Sequence, residues 1–332
     1  MRTITLDRPE RFVFSDAARP EAPGPGDALV RVLTVGICGT DLHAFEGTQP
    51  FFSYPRILGH ELAVEILATG DGVAGFKAGD RCAVNPYVIC GECAACRRGR
   101  TNCCAKMCVI GVHADGGMRD VIVLPAHQLY RCDKLKPMLI ALVETLGVGI
   151  HAVGRANVEA GDRAIVIGAG PIGLSVIEFL RLAGADAGVI EKMPERLDFA
   201  ARHHGLQRYY PSHQEARQED PSFLVFDCTG DRKSMESAIH LVQQGGKLVF
   251  VGLVNDQVSL FDPDLHRREV TILASRNSTP AEHYRVLDAM ESGRIDISSW
   301  PTECARPDRM AERFPVWLRR EAGIVKAVVD WS

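Results

Sequence analysis

Neither sign of charge dominates this sequence. Its 38 Lys and Arg stand against 42 Asp and Glu, a formal net charge of −4. Nothing in that balance is built to meet nucleic acid or an anionic membrane surface. No run approaches the roughly 20 apolar residues that a membrane helix needs. Met1 to Glu10 carries charges where a secretory leader would place its apolar stretch, so a cytoplasmic home is the expectation. Internal repeats and low-complexity tracts are missing too. The cysteines are not spread along the chain as a disulfide framework would spread them.

The sequence instead has 332 residues, too many for one typical core, which predicts two domains. Hydrophobic residues make up 46% and charged residues 24%, a globular mix. Of eleven cysteines, six fall between Cys90 and Cys108. In a reducing compartment such clustering reads as metal binding.

Residues 1–150 are rich in Gly, Pro and Val. Short β-like runs such as Ala28 to Val35 and Leu62 to Ala68 are separated by turn signals such as Pro23-Gly24-Pro25-Gly26. This predicts a mostly β domain with a metal-rich lobe at 85–112. After His151 the texture changes. β-runs at Ala164–Ile167, Ala187–Ile190, Phe223–Asp227 and Lys247–Gly252 alternate with helical patterns at Pro171–Ala183, Pro194–His204 and near Lys233–Gln243. The alternation predicts a doubly wound parallel sheet over 151–294. The remainder, 295–332, ends in a strand-like Ile324–Val329 and returns to the first domain. The fold class is therefore α/β.

Gly168-Ala169-Gly170-Pro171-Ile172-Gly173 fits G-x-G-x-x-G, between a β-run and a helix, the context that gives the motif meaning. The first Gly permits a tight turn, the second a close approach to a pyrophosphate, and the third close packing of helix on strand. The helix N-terminus offers N–H groups and partial positive charge to phosphates. Glu191 ends the next β-run, where a carboxylate can accept from ribose hydroxyls and repel a 2′-phosphate, favouring NAD over NADP. Lys192 and Arg196 stand close enough to soften that preference.

Cys90, Cys93, Cys96 and Cys104 read C-x2-C-x2-C-x7-C, a spacing that can wrap a closed, structural zinc. Cys103 and Cys108 leave the fourth ligand open at this point. A second set is dispersed: Cys38 within Cys38-Gly39-Thr40-Asp41-Leu42-His43, His60 within Gly59-His60-Glu61, and Glu144. One Cys, one His and one carboxylate can hold a zinc with an open fourth position.

Taken together these residues resemble the zinc-containing medium-chain dehydrogenase/reductase family, nearly end to end. The resemblance rests on Cys38-Gly39-Thr40-Asp41, Gly59-His60-Glu61, the cysteine lobe, Gly168 to Gly173, and the closing Ile324–Val329. It implies a GroES-like catalytic domain joined to a Rossmann domain, two zinc ions per chain, and NAD. The family's lobe ends G-x-x-N-x-C, which Gly99, Asn102 and Cys104 match, selecting Cys104. The chain is most similar to the polyol and sugar-acid branch, with sorbitol and threonine dehydrogenases, where a glutamate such as Glu144 replaces cysteine as third catalytic ligand. Gln49 to Pro55, Gly99 to Cys104, Ile110 to His113 and Ser275 to Pro280 resemble branch members acting on a six-carbon sugar acid.

The resemblance further implies roles. A zinc held by Cys38, His60 and Glu144, with Glu61 behind it as an exchanging ligand, polarises a secondary hydroxyl whose hydride passes to the nicotinamide. Thr40 and His43 carry the proton away. Asp41 accepts a hydrogen bond from the His60 ring. Arg119 and Arg276 are candidates for a substrate carboxylate. A neutral polyol or threonine is the alternative substrate. A homodimer or homotetramer is the expected assembly, with no nucleic-acid or membrane partner. Three departures stand near the pocket: Val64 where a small residue is usual, Thr145 where Pro is usual, and Met118-Arg119-Asp120 where an aromatic and a glutamate are usual. The rivals are a zinc-free quinone reductase and a non-catalytic NAD-binding protein, and the complete Cys/His/Glu set argues against both.

Overall fold

A computed structural model describes residues 1–50, 52–319 and 322–332. Phe51, inside the Gln49 to Pro55 segment singled out above, lies outside the described residues. The chain divides into two compact units, Met1–Glu144 with Thr279–Ser332, and Thr145–Ser278.

In the first unit the central strand is Asp27–Gly36, buried along almost its whole length. On one side it pairs antiparallel with Glu61–Thr69. Its other edge is shared, with Val121–Pro125 covering the first half and the C-terminal strand Lys326–Asp330 the second. The chain end is thus a structural part of this unit. The helix Met310–Trp317 comes with it, and Phe314 packs among Phe12, Phe45 and Trp317, with ring centroids 4.8–5.4 Å apart.

The second unit is a six-stranded, all-parallel sheet. In chain order its strands are Arg163–Ile167, Asp186–Ile190, Arg208–Tyr210, Ser222–Asp227, Val242–Phe250 and Thr271–Ala274, and in space they run 3-2-1-4-5-6. That is the doubly wound dinucleotide order, with its switch point between the first and fourth strands. The third and last strands carry no sequence signal. One is only Arg-Tyr-Tyr, and the other is a mostly exposed edge.

Three expectations change. The helix near Lys233–Gln243 is shorter. It runs Arg232–Ala238, a 3-10 turn follows at Ile239–Leu241, and Val242 already begins a strand. The strand can start early because a register shift lets it bulge at Gly245 and Gly246. Gly245 sits at φ +70°, and a Cβ on Gly246 would stand 2.6 Å from the Phe223 carbonyl. Second, the boundary near 294 falls instead at Ser278/Thr279. Helix Pro280–Glu291 packs in the first unit, with Tyr130 stacked on His283 at 5.0 Å and against Tyr284 at 4.7 Å. A capping box between Thr279 and Glu282 starts that helix. Third, one stretch does reach membrane-span length. Pro137–Ala156 has 20 residues with a mean hydropathy of 1.6, and 72% of its most apolar 18-residue stretch is buried, which is how a core helix is placed.

Candidate metal and nucleotide sites

Cys38 ends the loop after the central strand and caps the helix Gly39–Glu46. Its N–H donates to Asp41 Oδ2 at 2.9 Å, fixing the first turn. Glu61 begins the neighbouring strand, with His60 just before it, and register sets Glu61 opposite Gly36. Only glycine fits there, because a Cβ on residue 36 would lie 2.1 Å from the Glu61 carboxylate. The ligand atoms of Cys38, His60 and Glu61 all come within 4.8 Å of one another, with His60 and Glu61 buried. Glu144, expected ahead of Glu61 as third ligand, is also buried but stands outside this set, held by the phenol of buried Tyr87. In the geometry the two carboxylates exchange rank. The physical reason is the strand register, which carries Glu61 alongside His60, while Glu144 sits at a helix start.

The electrostatics of the pocket favour a cation. Asp41, Glu61 and Glu144 are buried, and Lys326 is the buried cation that meets them, its Nζ 2.6 Å from Glu61. Burial works against a charge on His60, yet Asp41, Cys38 and Glu144 outweigh it and raise its pKa well above the usual value. Burial likewise opposes charge on Lys326, and Glu61, Cys38 and Glu144 raise it. Burial pushes Glu144 up, against the pull of His60. Three carboxylates, a thiol and an imidazole crowd around one ammonium, so the donor atoms of the pocket outnumber its fixed cations. A divalent cation offsets such a surplus, and thiolate, imidazole and carboxylate are zinc ligands. The residues fit the metal.

Around this core the predicted helpers take different positions. Asp41 Oδ1 lies 3.7 Å from His60 Nδ1, too far for the expected hydrogen bond, and neither atom has another partner among the described residues. Asp41 spends its other oxygen on the Cys38 N–H. Thr40 is half-buried on the same turn as Cys38, and His43 is exposed beside Glu46 (3.4 Å) and Thr48 (3.3 Å). Arg119 is partly buried. Its guanidinium donates to the Asp115 carbonyl at 3.3 Å, its Nε has no hydrogen-bond partner among the described residues, and burial lowers its pKa. Asp120 is taken by Arg2 and Trp331.

In the cysteine lobe the four thiols brought together are Cys90, Cys93, Cys96 and Cys104. Cys103 is exposed and does not join them. Gly91 and Gly99, both at φ +71°, turn the loop around the cluster. Backbone N–H groups point at the sulfurs, from Ala105 to Cys93 at 3.5 Å and from Cys90 to Cys104 at 3.3 Å. They draw the Cys93 thiol down to about 6 and also lower Cys104. Burial and the adjoining thiols push Cys96 up to about 12. Thiols held this close in an N–H cradle suit a tetrahedral ion.

In the second unit Gly168 takes φ +96°. A Cβ on Gly173 would sit 1.8 Å from the Gly168 carbonyl, so the third glycine is what lets the helix Pro171–Leu182 close on the strand. Gly170 caps that helix, with Pro171 at its first position and Ile172 following, and its Cβ position is open space, as a loop that must admit a phosphate requires. Glu191 is buried, and its carboxylate accepts from Ala169 N–H and Met193 N–H, both at 2.9 Å. It therefore braces the glycine loop as well as ending the second strand. Arg276 is exposed in the loop after the last strand, next to Asn277 at φ +53°.

Lys326, Tyr87 and Gly36 are the site residues that sequence reasoning missed. Lys326 left a faint signal as a charge inside the apolar closing run. Tyr87 and Gly36 left none, since their roles come from pairing across the sheet.

Residues 24–137 match the alcohol dehydrogenase GroES-like domain, and residues 171–292 match the zinc-binding dehydrogenase family. The chain is 37% identical to L-galactonate-5-dehydrogenase of Escherichia coli (strain K12), over 100% of this chain and 99% of that one. Among solved structures it resembles the short chain alcohol dehydrogenase (rspB) of Escherichia coli CFT073 complexed with NADH, at a TM-score of 0.92 and 26% identity, over 100% and 99% of the two chains. It also resembles a zinc-binding dehydrogenase of Sinorhizobium meliloti 1021 bound to NADP, at a TM-score of 0.91 and 28% identity, over 99% of each.

Proposed function

Because this chain belongs to the zinc-binding, GroES-like alcohol dehydrogenases, we propose that it oxidises a secondary alcohol of a sugar acid or polyol. An L-hexonate such as L-galactonate is favoured, with NAD as hydride acceptor. The observation that carries the metal chemistry is the Cys38–His60–Glu61 set, with His60 and Glu61 buried and donor atoms in surplus. The sugar-acid choice is supported by similarity to an L-galactonate-5-dehydrogenase along the whole chain.

Cys38, His60 and one buried carboxylate, Glu144 or Glu61, hold the catalytic ion, and Cys90, Cys93, Cys96 and Cys104 hold the structural one. Zinc, when bound, supplies Lewis acidity that makes a substrate hydroxyl easier to deprotonate. The Thr40 hydroxyl would relay that proton, accepting it as it gives up its own towards exposed His43 on the same helix, which would hand it to solvent. Lys326 pairs with Glu61, and Asp41 holds the turn that presents Cys38. Gly168, Gly170 and Gly173 seat the pyrophosphate of the nucleotide. Glu191 both braces that loop and offers lone pairs to the adenosine ribose. Arg276 or Arg119 meets the substrate carboxylate, and the assembly is a homodimer or homotetramer.

The deciding experiment is a panel of hexonates and neutral polyols with NAD and NADP, read as nicotinamide reduction, on protein whose zinc has been counted. Two zinc per chain and the highest kcat/KM on an L-hexonate with NAD are expected. A lost charged contact in a desolvated site costs about 2–5 kcal/mol, so Arg276→Ala should lower kcat/KM for the hexonate by about 30-fold and spare sorbitol. Sorbitol as the better substrate, with the variant treating both alike, overturns the sugar-acid reading and leaves a neutral polyol dehydrogenase.

A further inference from the structure

A third group of metal-ligating side chains lies in the second unit, apart from both sets above. Glu178 is on the helix that starts at the glycine loop, Pro171–Leu182. His203 and His204 close the next helix, Pro194–His204. Their ligand atoms all lie within 4.8 Å of one another. Glu178 Oε1 stands 3.4 Å from His204 Nδ1 and 3.7 Å from His203 Nε2.

Burial makes the group unusual. Glu178 is 4% exposed on a helix whose other buried residues are apolar or small, apart from Ser175. The His204 side chain is fully buried, and neither of its ring nitrogens has a hydrogen-bond partner among the described residues. An imidazole that leaves water without a partner for either nitrogen costs stability unless something else takes a lone pair. His203 is aligned by Phe199, whose ring stacks on it at 5.4 Å and 8°, and the two histidine rings meet edge to face at 4.7 Å. The side chain of His203 is 19% exposed, which leaves a path from solvent. A competing charge is Arg181, whose Nη1 is 3.8 Å from Glu178 Oε2 and whose side chain is half in solvent.

We propose that Glu178, His203 and His204 form a third divalent-metal site, of the zinc, cobalt and nickel class, with water in the fourth position. Two imidazoles and a carboxylate are the donors that this class prefers. The site joins the C-terminal ends of the two helices flanking the strand Asp186–Ile190, so its occupancy staples the nucleotide unit. It needs neither a substrate nor the catalytic set.

The test compares tag-free, full-length protein with His203→Ala and with Glu178→Gln, each equilibrated with zinc chloride and passed through a desalting column. Metal per chain and the thermal midpoint with and without added zinc are then measured. His203 lies at a helix end and is partly exposed, so its variant should fold. Glu178→Gln keeps the shape of the buried side chain. The unaltered chain should hold one more zinc than either variant, and its midpoint should rise on zinc addition by an amount that both variants lose. Counting a difference between chains removes the zinc held elsewhere, so this result stands or falls separately from the catalytic assignment. Equal metal content in all three chains, or a midpoint rise preserved in His203→Ala, overturns the site and leaves a buried histidine–glutamate pair.

Discussion

Replacing Lys326 with Met removes a buried ammonium while keeping its length. Lys326 and Glu61 have side chains only 2% and 1% exposed and stand 2.6 Å apart, so solvent does not screen the pair. Removing one partner of such a pair typically costs about 3–5 kcal/mol, because the other is left charged out of water. Here the orphan would be Glu61, already beside Asp41 and Glu144. Zinc on the adjoining donors offsets part of that charge, which sets the expectation at the lower bound, about 3 kcal/mol, or roughly a hundredfold in the folding equilibrium. The assay is urea unfolding at fixed zinc followed by tryptophan fluorescence. Trp300, Trp317 and Trp331 are the three tryptophans of the chain, and all are buried in the first unit, so the signal reports that unit alone. The double variant Glu61→Gln/Lys326→Met should recover more than half of the loss, since it leaves no uncompensated charge. A loss below about 1 kcal/mol for Lys326→Met, or a double variant no more stable than the single, would refute the reasoning.

Cys93→Ser should lower the thermal midpoint and release one zinc, whereas Cys38→Ser should abolish turnover with little change in the midpoint; equal midpoints would merge the two roles. Glu191→Ser should narrow the preference for NAD over NADP. It should also weaken binding of both, because two backbone N–H bonds to a carboxylate are lost at Ala169 and Met193, and unchanged NADP affinity with a lower NAD affinity would confine the residue to ribose recognition. Burial pushes His283 down to about 4 in the folded chain, below its ordinary value of 6.5. Its contribution is therefore fully present above pH 6.5 and is lost as pH falls from 6.5 to about 4, where the unfolded chain takes a proton that the folded chain refuses. The loss should reach about 3 kcal/mol in the fluorescence-monitored unit, and His283→Asn should flatten that slope; an unaltered slope would assign the acid sensitivity to other groups.

Order along the chain was enough for the features whose chemistry is local. The four cysteines are near enough in sequence to meet within one short loop, and Gly91 and Gly99 are legible as its turns. The glycine loop must join a strand directly to a helix, so Gly168 to Gly173 announce both the nucleotide site and the parallel sheet around it. The strands Asp27–Gly36 and Glu61–Thr69 and the helix Pro194–His204 were likewise readable, because apolar periodicity survives wherever an element buries one face or both. Packing alone decided the rest. The Arg208–Tyr210 and Thr271–Ala274 strands exist because neighbours in the sheet supply their hydrogen bonds, and three or four residues are too few to show a period. Register across the sheet placed Glu61 with Cys38 and His60 and left Glu144 with Tyr87, an order that spacing cannot contain. Lys326, 265 positions from Glu61 in the chain, meets it only because the C-terminal strand returns to the edge of the central one. Glu178 and the two histidines are ordinary helix residues in one dimension. They become a donor cluster only when two helices pack on the same strand, where distance and desolvation, the quantities that make a ligand set, are first defined.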